Sequence, residues 1–286
     1  MKLIKTLWGV EAAATKALWD GMFAKMTEQG FHGVEMCSPQ GPFYPFNGHD
    51  EEVKSLLQKY KLKNIVQIQT LDYPLGASAG WKEHAEDLRK KAENCVKVFG
   101  HDSKNDLNGG VAFFNVHGGK DSFRRADALR FYEEAVKIEK DIGVKMVHET
   151  HRQRVFHNPF VIRDLMDDLP KDLKINADLS HFVVSLERLM CTERDAEFWP
   201  EVLQFLCERS DYIHARVGYA QGIQVPHPAA PEHFGDVEAH CGWWKAIAEA
   251  QQERGVEPHI CPEFGPYPYM PHLPFSKVPV ADLDEV

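Results

Sequence analysis

Short apolar runs alternate with longer stretches of helical periodicity along almost the whole chain. The runs at 3–8, 33–37, 64–70, 111–117, 144–149, 173–179, 212–217 and 258–263 read as β-strands. Between them lie amphipathic segments. At 11–29, Ala14, Leu18, Met22 and Met26 share one helical face, and Gly30 supplies a stop. At 81–99, Ala85, Leu88, Ala92, Cys95 and Phe99 do the same. Further helices are expected at 50–60, 125–142 (closed by Gly143), 181–190, 195–208 and 237–254, and Asn158-Pro159 supplies a cap and a first-turn proline for one running to about 168. Eight strands interleaved with helices predict an α/β fold, a parallel eight-stranded (β/α)8 TIM barrel occupying residues 1–265 as one domain. A doubly wound open sheet is the rival, but no glycine-rich phosphate loop follows the first strand. Residues 266–286 form an atypical, proline-rich C-terminal tail with no clear helix to cover the last strand. A docked tail, a partner subunit in a homo-oligomer, or a chain that stops early would each account for it.

In a parallel barrel the C-terminal strand ends converge on one face, where the chemistry sits. Glu149 ends the fifth run, Asp178 lies near the end of the sixth, His214 lies in the seventh and Glu263 ends the eighth. One strand-end acid is ordinarily a salt-bridge or helix-cap partner. Three, with an imidazole on the intervening strand, make a mixed oxygen and nitrogen set suited to a divalent metal. His117 ends the fourth strand, either as a pocket residue or as a structural histidine. Glu35 ends the second and could orient a ligand or form an ion pair. His148 and His151 flank Glu149 and are expected to point away from it, into the wall and the rim. Arg152 reads as a surface residue or a substrate contact. Trp8, with Phe43 and Phe46, could offer a platform to a sugar ring or simply pack. The segment 218–240, with Gln221, Gln224, His227 and His233, has the length of a lid or an interface, and its histidines read as exposed.

Composition narrows the partners. At 286 residues and 43% hydrophobic the chain can bury a full core, and its net charge of −10 disfavours nucleic acid. No apolar stretch approaches the roughly 18 residues of a membrane span. The six cysteines contain no C-x-x-C pair, which suits buried free thiols and a cytoplasmic location.

The order Glu149, then Asp178-x-x-His181, then His214, then Glu263 on the last four strands resembles the xylose isomerase-like barrel superfamily. Within it the resemblance is to the sugar and sugar-phosphate isomerase/epimerase group, which includes ketose 3-epimerases, and it spans about residues 3–265. The resemblance implies one divalent ion, manganese first with magnesium, cobalt or zinc as alternatives, held by Glu149, Asp178, His214 and Glu263. It implies a small carbohydrate substrate whose oxygens are bound by His181 and Arg216, joined by the pocket candidates His117 and Trp8. Glu149 and Glu263 become the acid/base pair. If they act on opposite faces of one carbon the result is epimerisation; if one alone shuttles the proton to the neighbouring carbon, aldose–ketose isomerisation follows. A lyase or dehydratase on a related sugar or polyol begins with the same deprotonation. Endonuclease IV-type repair enzymes need additional ligands for three zinc ions, which Gln67-Ile68-Gln69 and Val225-Pro226-His227-Pro228 do not complete. A carbohydrate-binding barrel without turnover would need a damaged ligand set.

Overall fold

Each apolar run becomes a strand, and the strands close in chain order into an eight-stranded parallel barrel. They are β1 (Lys2–Thr6), β2 (Gly33–Cys37), β3 (Lys63–Gln69), β4 (Val111–His117), β5 (Met146–Glu149), β6 (Lys174–Asp178), β7 (Ser210–His214) and β8 (His259–Cys261). The helices outside are α1 (Lys16–Glu28), α2 (Asp50–Tyr60), α3 (Trp81–Phe99), α4 (Arg125–Ile142), α5 (Pro159–Leu165), α6 (Ser180–Leu186), α7 (Trp199–Arg209) and α8 (Phe234–Glu253). The computed structural model describes residues 1–9, 16–39, 41, 43–71 and 78–283. The start of the first predicted helix, with Ala14, lies outside the described residues.

Boundaries differ from expectation where strand sterics or caps decide. The sixth helix stops at Leu186, because Glu187 takes a left-handed backbone (φ 54) and ends it. Residues 195–197 form a separate 3-10 turn before α7, whose first turn carries Pro200. β7 ends at His214 and β8 at Cys261, so Val217 and Glu263 lie beyond the ladders. The cap of α5 is as expected, Phe160 N–H donating to Asn158 Oδ1 at 2.9 Å.

Alternation along the strands separates two apolar layers. Outward-facing residues such as Val34, Val66, Phe114, Met146, Ile175 and Ile213 join the helices in one continuous core. Inward, Ile4, Ile65, Phe113, Val147, Tyr212 and Cys261 form a small floor plugging the barrel. Gly33 completes that floor: a Cβ there would sit 2.8 Å from Lys63 and 2.9 Å from Ile4, so β2 contributes only backbone at this level. Two residues above the floor the same strands present Thr6, Glu35, Gln67, Asn115, Glu149, His214 and Glu263. Every one of these is buried. A polar layer on an apolar floor needs internal partners for its charges, since unpaired buried ions are costly by several kcal/mol.

Among the described residues no helix follows β8. The tail instead turns back across the C-terminal mouth. Gly265 N–H donates to Gln224 Oε1 at 2.7 Å and Gly265 O accepts from Gln224 Nε2 at 3.2 Å. Leu283 packs against a cluster of Val217, Val225 and Phe264, and Tyr269 meets Trp8 edge-on at 4.8 Å. The tail is docked. Among the described residues no helix is long and apolar enough to cross a membrane.

Candidate metal centre

Strand register sets Asp178 beside His214, and Glu149 beside Asn176. With Glu263 arriving from the turn after β8, one donor atom from each of Glu149, Asp178, His214 and Glu263 falls within 4.8 Å of every other. All four residues are buried. His214 Nδ1 lies 2.8 Å from Glu263 Oε2 and 3.4 Å from Glu149 Oε2. Glu149 Oε1 is buried without a hydrogen-bond partner, and His214 Nδ1 and Glu263 Oε2 meet outside good hydrogen-bond geometry. Convergent, dry, unsatisfied donors are what a cation would satisfy. The charge also fits. Three ligand carboxylates and the Glu35 carboxylate against the single Arg216 guanidinium leave the cluster net negative, which favours a cation.

The surrounding polar groups hold these donors in place. Asn115 and Asn176 donate to Glu149 Oε2 at 2.7 and 3.1 Å, and His117 Nε2 lies 2.8 Å from the same oxygen. His214 Nε2 faces Glu35 Oε2 at 3.1 Å. A carboxylate there accepts the Nε2 proton and leaves the Nδ1 lone pair facing the other donors. Ser180 N–H and Oγ donate to Asp178 Oδ1. Arg216 is almost wholly buried, pairs with Asp178 Oδ2, reaches Glu263 Oε2 at 3.2 Å and donates to the Glu263 carbonyl at 3.2 Å.

Burial favours the neutral acid at Glu149, but the His117 and His214 imidazoles outweigh it and hold the carboxyl well below the usual range. At Asp178 burial wins over Arg216 and raises the carboxyl to about 6. Burial opposes a charged His214, yet Glu263, Glu35 and Glu149 hold its pKa well above the ordinary value. The metal-free imidazole is thus protonated, and a cation must displace that proton. His181 is the reverse: burial, then the charges of His151 and Arg216, keep it neutral. Arg152 N–H donates to His181 Nδ1 at 3.1 Å, and the Arg216 guanidinium, a donor only, lies 3.1 Å from His181 Nε2, beside Asp178.

Of the expected substrate contacts, His117, His181 and Arg216 lie in this cluster. Trp8 stands at its edge, against Tyr269 and over Gly265, where a Cβ would run into the indole. Phe46 is core, packed on Trp19, Phe23 and Tyr44, whereas Phe43 is exposed. His148 faces the wall, against Phe131 and Tyr132. His151 corrects the expectation: it points inward, its ring stacked on His117 at 4.4 Å and 4.0 Å from that of His181. Counting by twos from Glu149 puts residue 151 on the same side as Glu149, and the chain keeps that parity for one step beyond the strand. Asn115, Asn176 and Tyr269 were not singled out in the sequence. The two asparagines carried a signal, as single polar residues interrupting apolar strands. Tyr269 carried none, because only the docked tail brings it over Arg216 (5.1 Å) and Arg152 (4.9 Å).

No curated protein matches the sequence. Among solved structures, the probable 3-DHS dehydratase AsbF of petrobactin synthesis from Bacillus anthracis is 15% identical, with 93% of each chain covered and a TM-score of 0.55. Endonuclease IV from Thermus thermophilus is 16% identical over 91% of each chain, with a TM-score of 0.52. The D-allulose 3-epimerase of Methylomonas sp., solved with D-allulose, is 12% identical over 91% of this chain and 83% of its own, with a TM-score of 0.56. At these identities the likeness is one of fold. The family model for the xylose isomerase-like TIM barrel matches residues 23–263, and the chain belongs to that family.

Proposed function

We propose that the protein is a divalent-metal-dependent isomerase or epimerase of a small sugar or keto-sugar derivative, working by proton transfer through an enediolate. One observation carries the reading: Glu149, Asp178, His214 and Glu263 are buried at the C-terminal mouth with donor atoms within 4.8 Å of one another. A divalent ion held by these four residues, manganese being the first candidate, would supply Lewis-acid polarisation of a carbonyl next to the carbon that loses its proton.

The protein's own groups supply the rest. Glu149, ionised and fixed by three donors on Oε2, keeps Oε1 without a partner and can accept a proton. Glu263 sits across the cluster beside His214 and Arg216, placed to act as the second acid/base group. Positioned groups of this kind contribute about 10²–10⁴-fold each. Neutral His181 turns Nε2 toward Asp178 and Arg216, placed to contact a substrate oxygen, and Arg216 holds positive charge beside two of the carboxylates. The apolar floor below and the tail above keep bulk water from competing for the proton.

The test is solvent deuterium uptake followed by NMR over a panel of keto-sugars, with Mn²⁺ or Mg²⁺ supplied. Deuterium at one carbon with mass otherwise conserved supports the reading, and an inverted product identifies epimerisation. Loss of water from the product would move the assignment to a dehydratase. No exchange with any sugar or metal would reject both.

A further inference from the structure

Arg152, Arg154 and Arg216 stand near the mouth, and their charges are used differently. Arg216 is buried and pairs with Asp178 and Glu263. Arg154 is buried and donates to the carbonyls of Thr70 and Gly119. Arg152 is half-buried, and among the described residues no carboxylate lies within ion-pair distance of it. Its guanidinium carbon lies 4.9 Å from the centroid of the Tyr269 ring, and that ring is 5.1 Å from the guanidinium carbon of Arg216. The Arg152 backbone is fixed as well, through its N–H to His181 Nδ1.

These groups are graded in depth. Glu149, Asp178, His181, His214 and Arg216 are buried, whereas Arg152, Tyr269 and Trp8 are half-buried at the rim. With three carboxylates in the centre, a second arginine could have paired as Arg216 does; the tail's Tyr269 instead backs Arg152 at the rim. A guanidinium lying over an aromatic ring keeps its in-plane N–H donors free, and that fork matches two oxygens of a carboxylate or a phosphate.

We infer that Arg152, backed by Tyr269, is the selectivity residue of the mouth, and that the substrate carries an anionic end, a carboxylate or a phosphate, lying against Arg152 while its carbonyl end faces the four-residue centre. The net-negative cluster below would repel such a group unless a local cation received it. The inference deepens the isomerase reading and rests on it for the chemistry at the carbonyl; binding of the anionic end does not depend on turnover.

The experiment compares matched substrates. Full-length protein supplied with Mn²⁺ is given neutral ketoses, their terminal phosphates and their terminal carboxylates, including D-fructose, D-fructose 6-phosphate and D-fructuronate, and deuterium uptake yields kcat/KM for each. One anionic series should exceed the neutral series by about 10–100-fold, the worth of a charged hydrogen bond, and the better of the two names the group. Arg152→Gln should erase that preference, mainly through KM, and Arg152→Lys, with the charge but not the fork, should keep part of it. A neutral series turned over as well as both anionic ones would overturn the inference, and so would a wild-type preference retained in Arg152→Gln. If Arg152→Gln does not fold, the wild-type preference and its loss in Arg152→Lys decide. A second measurement needs no turnover: calorimetry with D-glucitol, D-glucitol 6-phosphate and D-gluconate. Tighter binding of an anion, lost in Arg152→Gln, with no exchange on any sugar rejects the isomerase and keeps the subsite. Exchange without anion preference rejects the subsite and keeps the isomerase.

Discussion

Each ligand here is one side chain whose use depends on the atoms behind it. Glu149→Gln and Glu263→Gln should each lower turnover by about 10²–10⁴-fold, the range for a positioned acid/base group. Initial rates of deuterium uptake measure this, and near-normal rates in both variants would reject the assignment. Glu35 is the less obvious case. It is buried and faces His214 Nε2, so Glu35→Leu removes the acceptor that fixes the ring and should weaken manganese binding about 10–100-fold. Glu35→Gln keeps an acceptor oxygen and should lose less; equal losses by calorimetry would mean that charge rather than orientation matters. At this scale the sequence was readable where a charged residue closed an apolar strand, as at Glu149, Asp178 and Glu263. It misled at His151. Flanking residues were expected to point away, but only His148 has odd spacing from Glu149.

Among the elements, α8 illustrates how packing sets protonation. His240 Nδ1 donates to the Asp236 carbonyl at 2.8 Å, and Nε2 accepts from Gly218 N–H at 3.3 Å, just past β7. Burial lowers its pKa to about 4 from 6.5. The fold thus favours neutral His240. Its contribution is complete above pH 6.5, declines as the pH falls below that, and is lost near pH 4 because the unfolded chain binds the proton first. A shift of this size corresponds to about 3 kcal/mol. Wild-type stability should therefore fall between pH 6.5 and 4, and more gently in His240→Gln, as measured by urea unfolding across that range. The docked tail makes a second case. Gly265→Ala would drive a methyl into the Trp8 ring, costing about 1–3 kcal/mol of overpacking and loosening the tail. Faster proteolytic cleavage at Lys277, which lies in an exposed stretch of the tail, is the expected readout. The strands and most helices were legible from periodicity. The early end of α6 was not, since nothing in the residue type of Glu187 announces a left-handed turn.

For the molecule as a whole, a buried cluster of like charges makes stability depend on the cation. Stripping with chelator should lower the melting temperature, and manganese at about 1,000 times its dissociation constant should restore about 4 kcal/mol. Because the ion must displace a proton from His214, its affinity should fall as the pH is lowered; a pH-independent affinity would mean that Nδ1 is not a ligand. The amino-acid sequence by itself determined the eight-stranded alternation and the strand-end acids, because a two-residue period and a helical period are local properties of the chain. Only the tertiary structure decided which donors meet. Asp178 neighbours His214 through strand register, Glu35 reaches His214 across the barrel from 179 positions away, and Tyr269 covers Arg216 through a tail with no periodicity to read. Closure of the barrel brings residues together by strand number and height, and neither is encoded in their separation along the chain.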